Sequence, residues 1–372
     1  MSRPPADPAG LQQAFPYPRS TPGATTDLGR IIINEVKKNG PLSFADYMAR
    51  CLYHPEFGYY ARPDSPTVSK KGDFMTSVSV GPVFGTLLAH RLHRFWTANG
   101  SPDSFTLIEP GAHDGSLALD ILDAIAALDP RFLEATRYLV CEPLPNRRPV
   151  LTDRLGERAT VVSSPDQISA PFGALIANEV LDALPVPLYL KIQTDWHEVL
   201  VTAENDDLAW ALRPANPALP ANLPEGYLAE GLPEFQDFLA PFAACLDRGL
   251  HLWIDYGLDE PALHHPARTA GTLRCFRQHR SDAHPLDHPG EQDLTADVNF
   301  TAFENAARQL QLTVHPALDQ SRYLTHCGRK WLLNQPGPRE ISQFQTLIHP
   351  SQFGSRFHAL ELTKGPVERA FP

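Results

Sequence analysis

Two stretches of this sequence bring groups suited to chemistry together at short spacing. In Glu109-Pro110-Gly111-Ala112-His113-Asp114-Gly115 an acid precedes two glycines. Glycine at 111 permits a sharp turn, and glycine at 115 lets a following helix begin close beneath a ligand. The free N–H groups and partial positive charge at such a helix start suit a pyrophosphate or a carboxylate. A tight strand–helix turn with no ligand has the same signature, so the motif alone does not choose. Glu142 ends the next apolar run, Leu139-Val140-Cys141. An acid at that place accepts hydrogen bonds from ribose hydroxyls in doubly wound folds, or is a solvated strand end. The second stretch is Asn178-Glu179-Val180-Leu181-Asp182. Its spacing puts both carboxylates on one side of a helical turn, beyond an apolar strand whose carboxyl end faces the ligand crevice of such folds. The pair suits a cation, a metal or a guanidinium. A cluster that merely caps the turn is the plain alternative.

Further polar residues gather in two runs. Gly72, Asp73, Thr76 and Ser77 lie in a Gly- and Ser-rich segment able to form a lid. Arg274, Arg277, His279, Arg280, Asp293, Thr295 and Asn299 belong to an unusually polar run. Its histidines, with His264 and His265, lack metal-ligand spacing on a helix, so no metal is expected.

The elements that must position these groups alternate from residue 105 onward. Strands are expected at Phe105–Glu109, Arg137–Glu142, Ala159–Ser164, Gly173–Glu179 and Leu250–Gly257, with two more near 310–318 and 355–364. Between the first two lies a helix, Ser116 to Leu128, with Ala118, Ile121, Leu122 and Ile125 on one face and Asp120 and Asp123 on the other. Strand–helix alternation with continuous apolar strands means a parallel, doubly wound α/β sheet. An insertion at about 187–249 alternates like antiparallel β-structure and ends in a helix over about 232–247. Before residue 105 the chain reads as helices. Asp27 and Ser43 are the expected caps of the first two, and Phe84, Leu87, Leu88, Leu92 and Phe95 form the apolar stripe of a third.

The 372 residues suffice for one large domain or two, and a hydrophobic content of 42% supports a sizeable core. A formal net charge of −11 argues against a broad nucleic-acid footprint and suits a cationic partner. No apolar run reaches the ~18 residues of a membrane span. The five scattered cysteines and the Pro-rich start, which lacks a leader pattern, lead to an expected cytoplasmic location.

Seven blocks together resemble a known family. They are "LSFADYMARCLYHPEFGYYA", "KGDFMTS", the Glu109–Gly115 turn, "NEVLDALPV", "WIDYG", "GTLRCFRQHR" with "HPGEQDLTADVNF", and "TLIHPSQFGSRFHALEL", in order over about residues 25–365. The chain is similar to the MidA-like S-adenosylmethionine-dependent methyltransferases, among them the mitochondrial protein arginine methyltransferase that assists respiratory complex I assembly. The resemblance implies a class I (Rossmann-like) methyltransferase fold with a seven-stranded sheet whose last strand is antiparallel. With the composition and periodicity read above, the expected organisation is a disordered tail (1–25), an N-terminal helical cap and lid loop (26–100), and a methyltransferase domain (101–370) carrying the β-rich insertion.

The resemblance further implies S-adenosyl-L-methionine as cofactor, with Glu109, Gly111 and Gly115 at its methionine end and Glu142 on its ribose. Asn178 and Glu179 would flank the departing methyl group. Gly72, Asp73 and Thr76 would close the site, with Tyr59, Tyr60 and Arg274 on the substrate side. His113 would lie at the cofactor, where the family usually has glycine. "TSVS" (Thr76–Ser79) replaces the family's frequent "TSPE", and Asp297 replaces a histidine. The implied activity is methylation of an arginine side chain of a protein, with Glu179 and Asp182 gripping the guanidinium. The alternative is a non-catalytic assembly factor that binds a client. The implied partner is a respiratory-complex subunit or another basic protein, with no nucleic acid and no membrane span, and a homodimer is an admissible assembly.

Overall fold

Helix starts are set locally in this protein. In the computed structural model, which describes residues 21–62, 76–277 and 284–371, Thr26 rather than Asp27 caps α1 (Asp27–Asn39). The Thr26 hydroxyl accepts the Gly29 N–H at 2.9 Å, which places Asp27 inside the first turn. There its charge still favours the helix dipole. Ser43 caps α2 (Phe44–Tyr53) as expected. Most of the expected tail, together with Gly72, Asp73, His279 and Arg280, lies outside the described residues.

α3 (Val83–Ala98) buries the apolar stripe read from the sequence. It packs among Phe105, Ile121 and Phe172 on one face of the central sheet. α1 and α2 pack elsewhere, with Phe44, Met48 and Ile32 meeting Val199 and Val201 of the insertion. Their junction, Leu42–Ser43, extends the insertion's sheet, with Leu42 opposite Val201.

The first half of the central sheet follows the expected alternation. In chain order it comprises β1 (Phe105–Pro110), α4 (Ser116–Leu128), β2 (Thr136–Cys141), α5 (Arg147–Leu155), β3 (Thr160–Val162) and β4 (Ala170–Asn178). β1 is buried at every position, as a strand covered on both faces must be. The insertion follows with β5 (Leu188–Ile192), β6 (Asp195–Glu204), β7 (Asp207–Ala215), β8 (Leu228–Glu230) and α6 (Phe235–Ala244). β5, β6 and β7 pair antiparallel. The chain then re-enters the sheet as β9 (Leu246–Leu258) and continues through α7 (Phe300–Gln309), β10 (Thr313–Val314), α8 (Gln320–Leu333), α9 (Pro338–Ile348) and β11 (Phe357–Lys364).

The strand order is β3-β2-β1-β4-β9-β11-β10. β1 to β4 and β9 are mutually parallel, and β11 runs antiparallel to both its neighbours. This is the class I methyltransferase sheet. α3, α4 and α8 cover one face, while α6 and α7 cover the other around the buried Trp253. The expected strand near 310–318 is cut to Thr313–Val314, with Leu318–Asp319 a separate short pairing on β11. Pro316 stands between them and has no N–H for the ladder. α8 and α9 lie outside the sequence-based expectation.

Candidate active site

The carboxyl ends of β1, β2 and β4 open into one cavity of ≈ 760 Å³, within the size range of small-molecule sites. Glu109, next to last in β1, lines it and is buried. The Tyr138 hydroxyl donates to Glu109 Oε2 at 2.7 Å, and burial pushes the carboxyl up to about 7. Glu142 follows β2 and also lines the cavity. Its Oε1 accepts the Leu144 N–H at 2.9 Å, and burial raises its pKa.

The turn between these acids behaves differently at each of its three special positions. Gly111 has φ +64° and lines the cavity. Gly115 does not line it. Its φ is +78°, and a Cβ there would sit 3.1 Å from Leu155 Cδ2 of α5. The left-handed start of α4 and the packing against α5 each call for glycine at 115. His113 has φ +48° and lines the cavity. That conformation suits glycine and costs other residues roughly 1–3 kcal/mol. The His113 carbonyl accepts from Arg147 Nη2 at 2.5 Å.

The second motif closes the other side. Asn178 ends β4, and Glu179 follows at φ +54° with its N–H donated to Ile254 O of β9 at 2.9 Å. Asn178 Nδ2 donates to Glu179 Oε1 at 2.9 Å. Asn178 Oδ1 is buried with no partner among the described residues. Capping of the next turn, one alternative for this acidic cluster, is performed by another residue. Asp255 Oδ2 accepts the N–H groups of Val180, Leu181 and Asp182 at 3.1, 2.8 and 3.3 Å. Glu179 and Asp182 both remain on the cavity wall. Asp182 Oδ2 accepts the Tyr256 hydroxyl at 2.5 Å. Burial, reinforced by Asp182, pushes Glu179 up to about 8, and burial pushes Asp182 up to about 6.

A carboxyl whose pKa is higher folded than unfolded stabilises the fold most at low pH, and the benefit is lost as pH rises through the folded value. The empty protein should therefore lose melting temperature between about pH 5 and pH 8 through Glu179 and Asp182. Glu179→Gln should melt roughly 3 °C or more above the parent at pH 8 and near it at pH 5. Differential scanning calorimetry checks both. A difference independent of pH would contradict the burial of an ionisable group at 179.

The remaining expected residues divide. Thr76 lines the cavity and caps Ser77–Val80 in a reciprocal pair with Ser79. Ser79 thus fills the capping role that a glutamate takes in other capping boxes. Tyr60 lines the cavity, stacks on Tyr53 at 5.7 Å and donates to Asp293 Oδ1 at 2.8 Å. Tyr59 is buried edge-on against Tyr60 and stays off the cavity wall. Arg274 is also off that wall. It pairs with Asp297 at 2.6 Å and lies 5.7 Å from the Tyr256 ring centre.

Several lining residues escaped the sequence motifs: Tyr53, Arg147, and Phe238 and Phe242 of α6. Tyr53 offered a weak signal, an aromatic at the end of a capped helix. The α6 pair offered none, because the insertion carries it to the cavity.

A sheet in this strand order, with an acid-and-glycine turn after its first strand and an acid after its second, defines a class I methyltransferase. The chain belongs to the family described as "Putative S-adenosyl-L-methionine-dependent methyltransferase", whose profile matches residues 87–317. It is an enzyme with S-adenosyl-L-methionine as cofactor, and the non-catalytic alternative gives way. Two named relatives are the protein arginine methyltransferase NDUFAF7 homolog, mitochondrial, of Drosophila melanogaster and the protein arginine methyltransferase NDUFAF7, mitochondrial, of Homo sapiens. The first is 28% identical over 89% of this chain and 83% of the fly protein. The second is 27% identical over 91% of this chain and 83% of the human protein. A solved structure of a COG1565 superfamily member from Burkholderia thailandensis, bound to S-adenosyl-homocysteine, superposes with a TM-score of 0.82. It is 27% identical and the match covers 99% of this chain and 97% of that one.

These relatives also overturn an expectation. The fly and human proteins are named as mitochondrial, so the cytoplasmic location drawn from the N-terminal composition is corrected. No described helix is long and apolar enough to cross a membrane.

Proposed function

We propose that this enzyme methylates arginine side chains of a basic protein, with Glu179 and Asp182 as the guanidinium grip. The observation that carries the reading is the presence of both carboxylates on the wall of the cavity that also holds Glu109 and Glu142. The names of the fly and human relatives support it, as does a net charge of −11. The residues present fit the cofactor. Glu142 Oε2 lies 3.9 Å from Arg147 Nε, beyond hydrogen-bond range, which leaves that oxygen for ribose hydroxyls. Asn178 Oδ1 is a buried acceptor without a donor among the described residues. Glu109 and Gly111, with His113 beside them, take the methionine end, and Thr76 adds to the wall.

S-adenosyl-L-methionine supplies, when bound, an electrophilic methyl group on a sulfonium sulfur. The protein's task is to place a nucleophile in line and exclude water, and such positioning supplies ~7–11 kcal/mol. Guanidinium is a delocalised cation with pKa above ~12, so its nitrogens are poor nucleophiles. Two carboxylates grip the fork and hold its charge away from the attacking nitrogen. As that nitrogen forms its C–N bond the methyl–sulfur bond breaks, S-adenosyl-homocysteine leaves with the electron pair, and the nitrogen releases a proton for which Glu179 is the proposed acceptor.

The raised pKa of Glu179 has a sign for catalysis. Below about 8 the empty carboxyl is protonated, so a cation must displace a proton to bind. The kcat/KM for a protein substrate should therefore fall as pH drops from 8 toward 6, approaching tenfold per pH unit. Initial rates across that range test this, and a flat profile would contradict it. The function is tested by transfer from methyl-labelled S-adenosyl-L-methionine to a cell extract. Label should be protease-sensitive, and label confined to nucleic acid, lipid or small molecules would reject the reading.

A further inference from the structure

We infer that Arg147 is a positioning residue for the cofactor turn, holding His113 in a backbone conformation it would not keep alone. Arg147 opens α5 and is 8% exposed. A cation at a helix N-terminus opposes the helix dipole, and a buried guanidinium is costly unless paired. Helix stability therefore does not explain it. Its contacts all reach the cavity wall. Nη2 donates to His113 O at 2.5 Å, Nη1 donates to Tyr60 O at 3.4 Å, and Nε stands 3.9 Å from Glu142 Oε2. One planar fork thus joins the turn after β1, the acid after β2 and the Tyr60 segment. A lysine, with a single nitrogen, cannot span three such directions.

His113 is where this matters most. Its φ of +48° is left-handed, and a side chain keeps such a conformation only when its surroundings enforce it. Two contacts bear on it: Asp114 Oδ1 stands 3.8 Å from the His113 Nδ1, and Arg147 Nη2 donates to the His113 carbonyl at 2.5 Å, the contact that engages the backbone itself. A glycine at 113 would adopt the same φ unaided. Arg147 and His113 therefore act as a pair, and their energetic coupling is measurable as a double-mutant cycle.

The inference rests on the cofactor placement proposed above, not on the identity of the acceptor. The experiment is isothermal titration of S-adenosyl-homocysteine into the parent, Arg147→Gln, Arg147→Lys, His113→Gly and the double variant Arg147→Gln/His113→Gly. Circular dichroism first confirms that each is folded. Arg147→Gln should weaken binding at least about tenfold, and Arg147→Lys by an intermediate factor. His113→Gly should bind within about threefold of the parent, and in its background the Arg147→Gln loss should shrink by at least about threefold. The KM for the cofactor should rise in Arg147→Gln by a larger factor than kcat falls. An equal loss in both backgrounds, or parent-like affinity in Arg147→Lys, would overturn the inference. Should Arg147→Gln not fold, the Arg147→Lys comparison with and without His113→Gly decides by the same criterion. Failure of all variants and parent alike to bind would instead reject the cofactor placement.

Discussion

Glu179→Gln should lower kcat roughly 10³-fold while leaving S-adenosyl-homocysteine affinity within about threefold of the parent. The substitution changes charge and little else. Glutamine keeps the length of the side chain and retains an oxygen for the Asn178 Nδ2 donor now 2.9 Å from Glu179 Oε1. The hydrogen bond from the residue 179 N–H to Ile254 O does not involve the side chain. What is lost is a negative charge on the half-buried cavity wall beside Asp182, where charge is worth more than in open water. The cationic fork loses one of its two anchors and the leaving proton loses its acceptor. The proposed cofactor residues Glu109, Gly111 and Glu142 are left unchanged by the substitution. Single-turnover rates with a protein substrate, beside titration of the product nucleoside, separate the two effects. Parent-like turnover would remove Glu179 from the mechanism, and a parallel collapse of affinity would move it to the cofactor.

Glu142→Ala should produce the opposite pattern. We expect S-adenosyl-homocysteine to bind about 10²-fold more weakly, with kcat at saturating cofactor reduced much less. A hydrogen bond to a charged group contributes roughly 1.5–3 kcal/mol, and in the proposed role Glu142 accepts from ribose hydroxyls. The gain is offset in part because burial already raises the Glu142 pKa in the empty protein. The Leu144 N–H, which donates to Glu142 Oε1, would also lose its partner. Titration of an analogue lacking the 2′-hydroxyl distinguishes these contributions. The parent should lose affinity for it, whereas Glu142→Ala should scarcely discriminate.

The parts of the fold that depend on local pattern were legible in the sequence. β4 is apolar at nearly every position and β1 at most of its own because helices cover both faces, and that is visible residue by residue. Glu109, Glu142, Asn178, Glu179 and Asp182 were legible as site candidates because a strand end fixes where the next side chain lies. Residues whose roles depend on contacts far along the chain were not. Asp255 secures the Val180–Asp182 turn from a different strand. Arg147 acts through the backbone carbonyl of a residue in the preceding strand–helix turn. At Gly115 the structure adds a packing reason for glycine that no motif reports, since leucines of α5 occupy the space a side chain would need. Arg274 carries a charge suited to a substrate contact, yet Asp297 holds it off the cavity wall. That pairing follows from the antiparallel register of Arg274–Phe276 with Asp293–Thr295, a non-local feature no motif reports.

Amino-acid analysis of the labelled product tests the central claim most directly. Protein methylated with S-[methyl-³H]adenosylmethionine is hydrolysed to its amino acids and the radioactive species are separated. The account predicts that the label co-elutes with methylated arginine and is absent when Glu179→Gln replaces the parent enzyme. Label in methylated lysine or a base-labile carboxyl ester, or methylarginine at undiminished yield from the variant, would contradict a guanidinium held by Glu179 and Asp182.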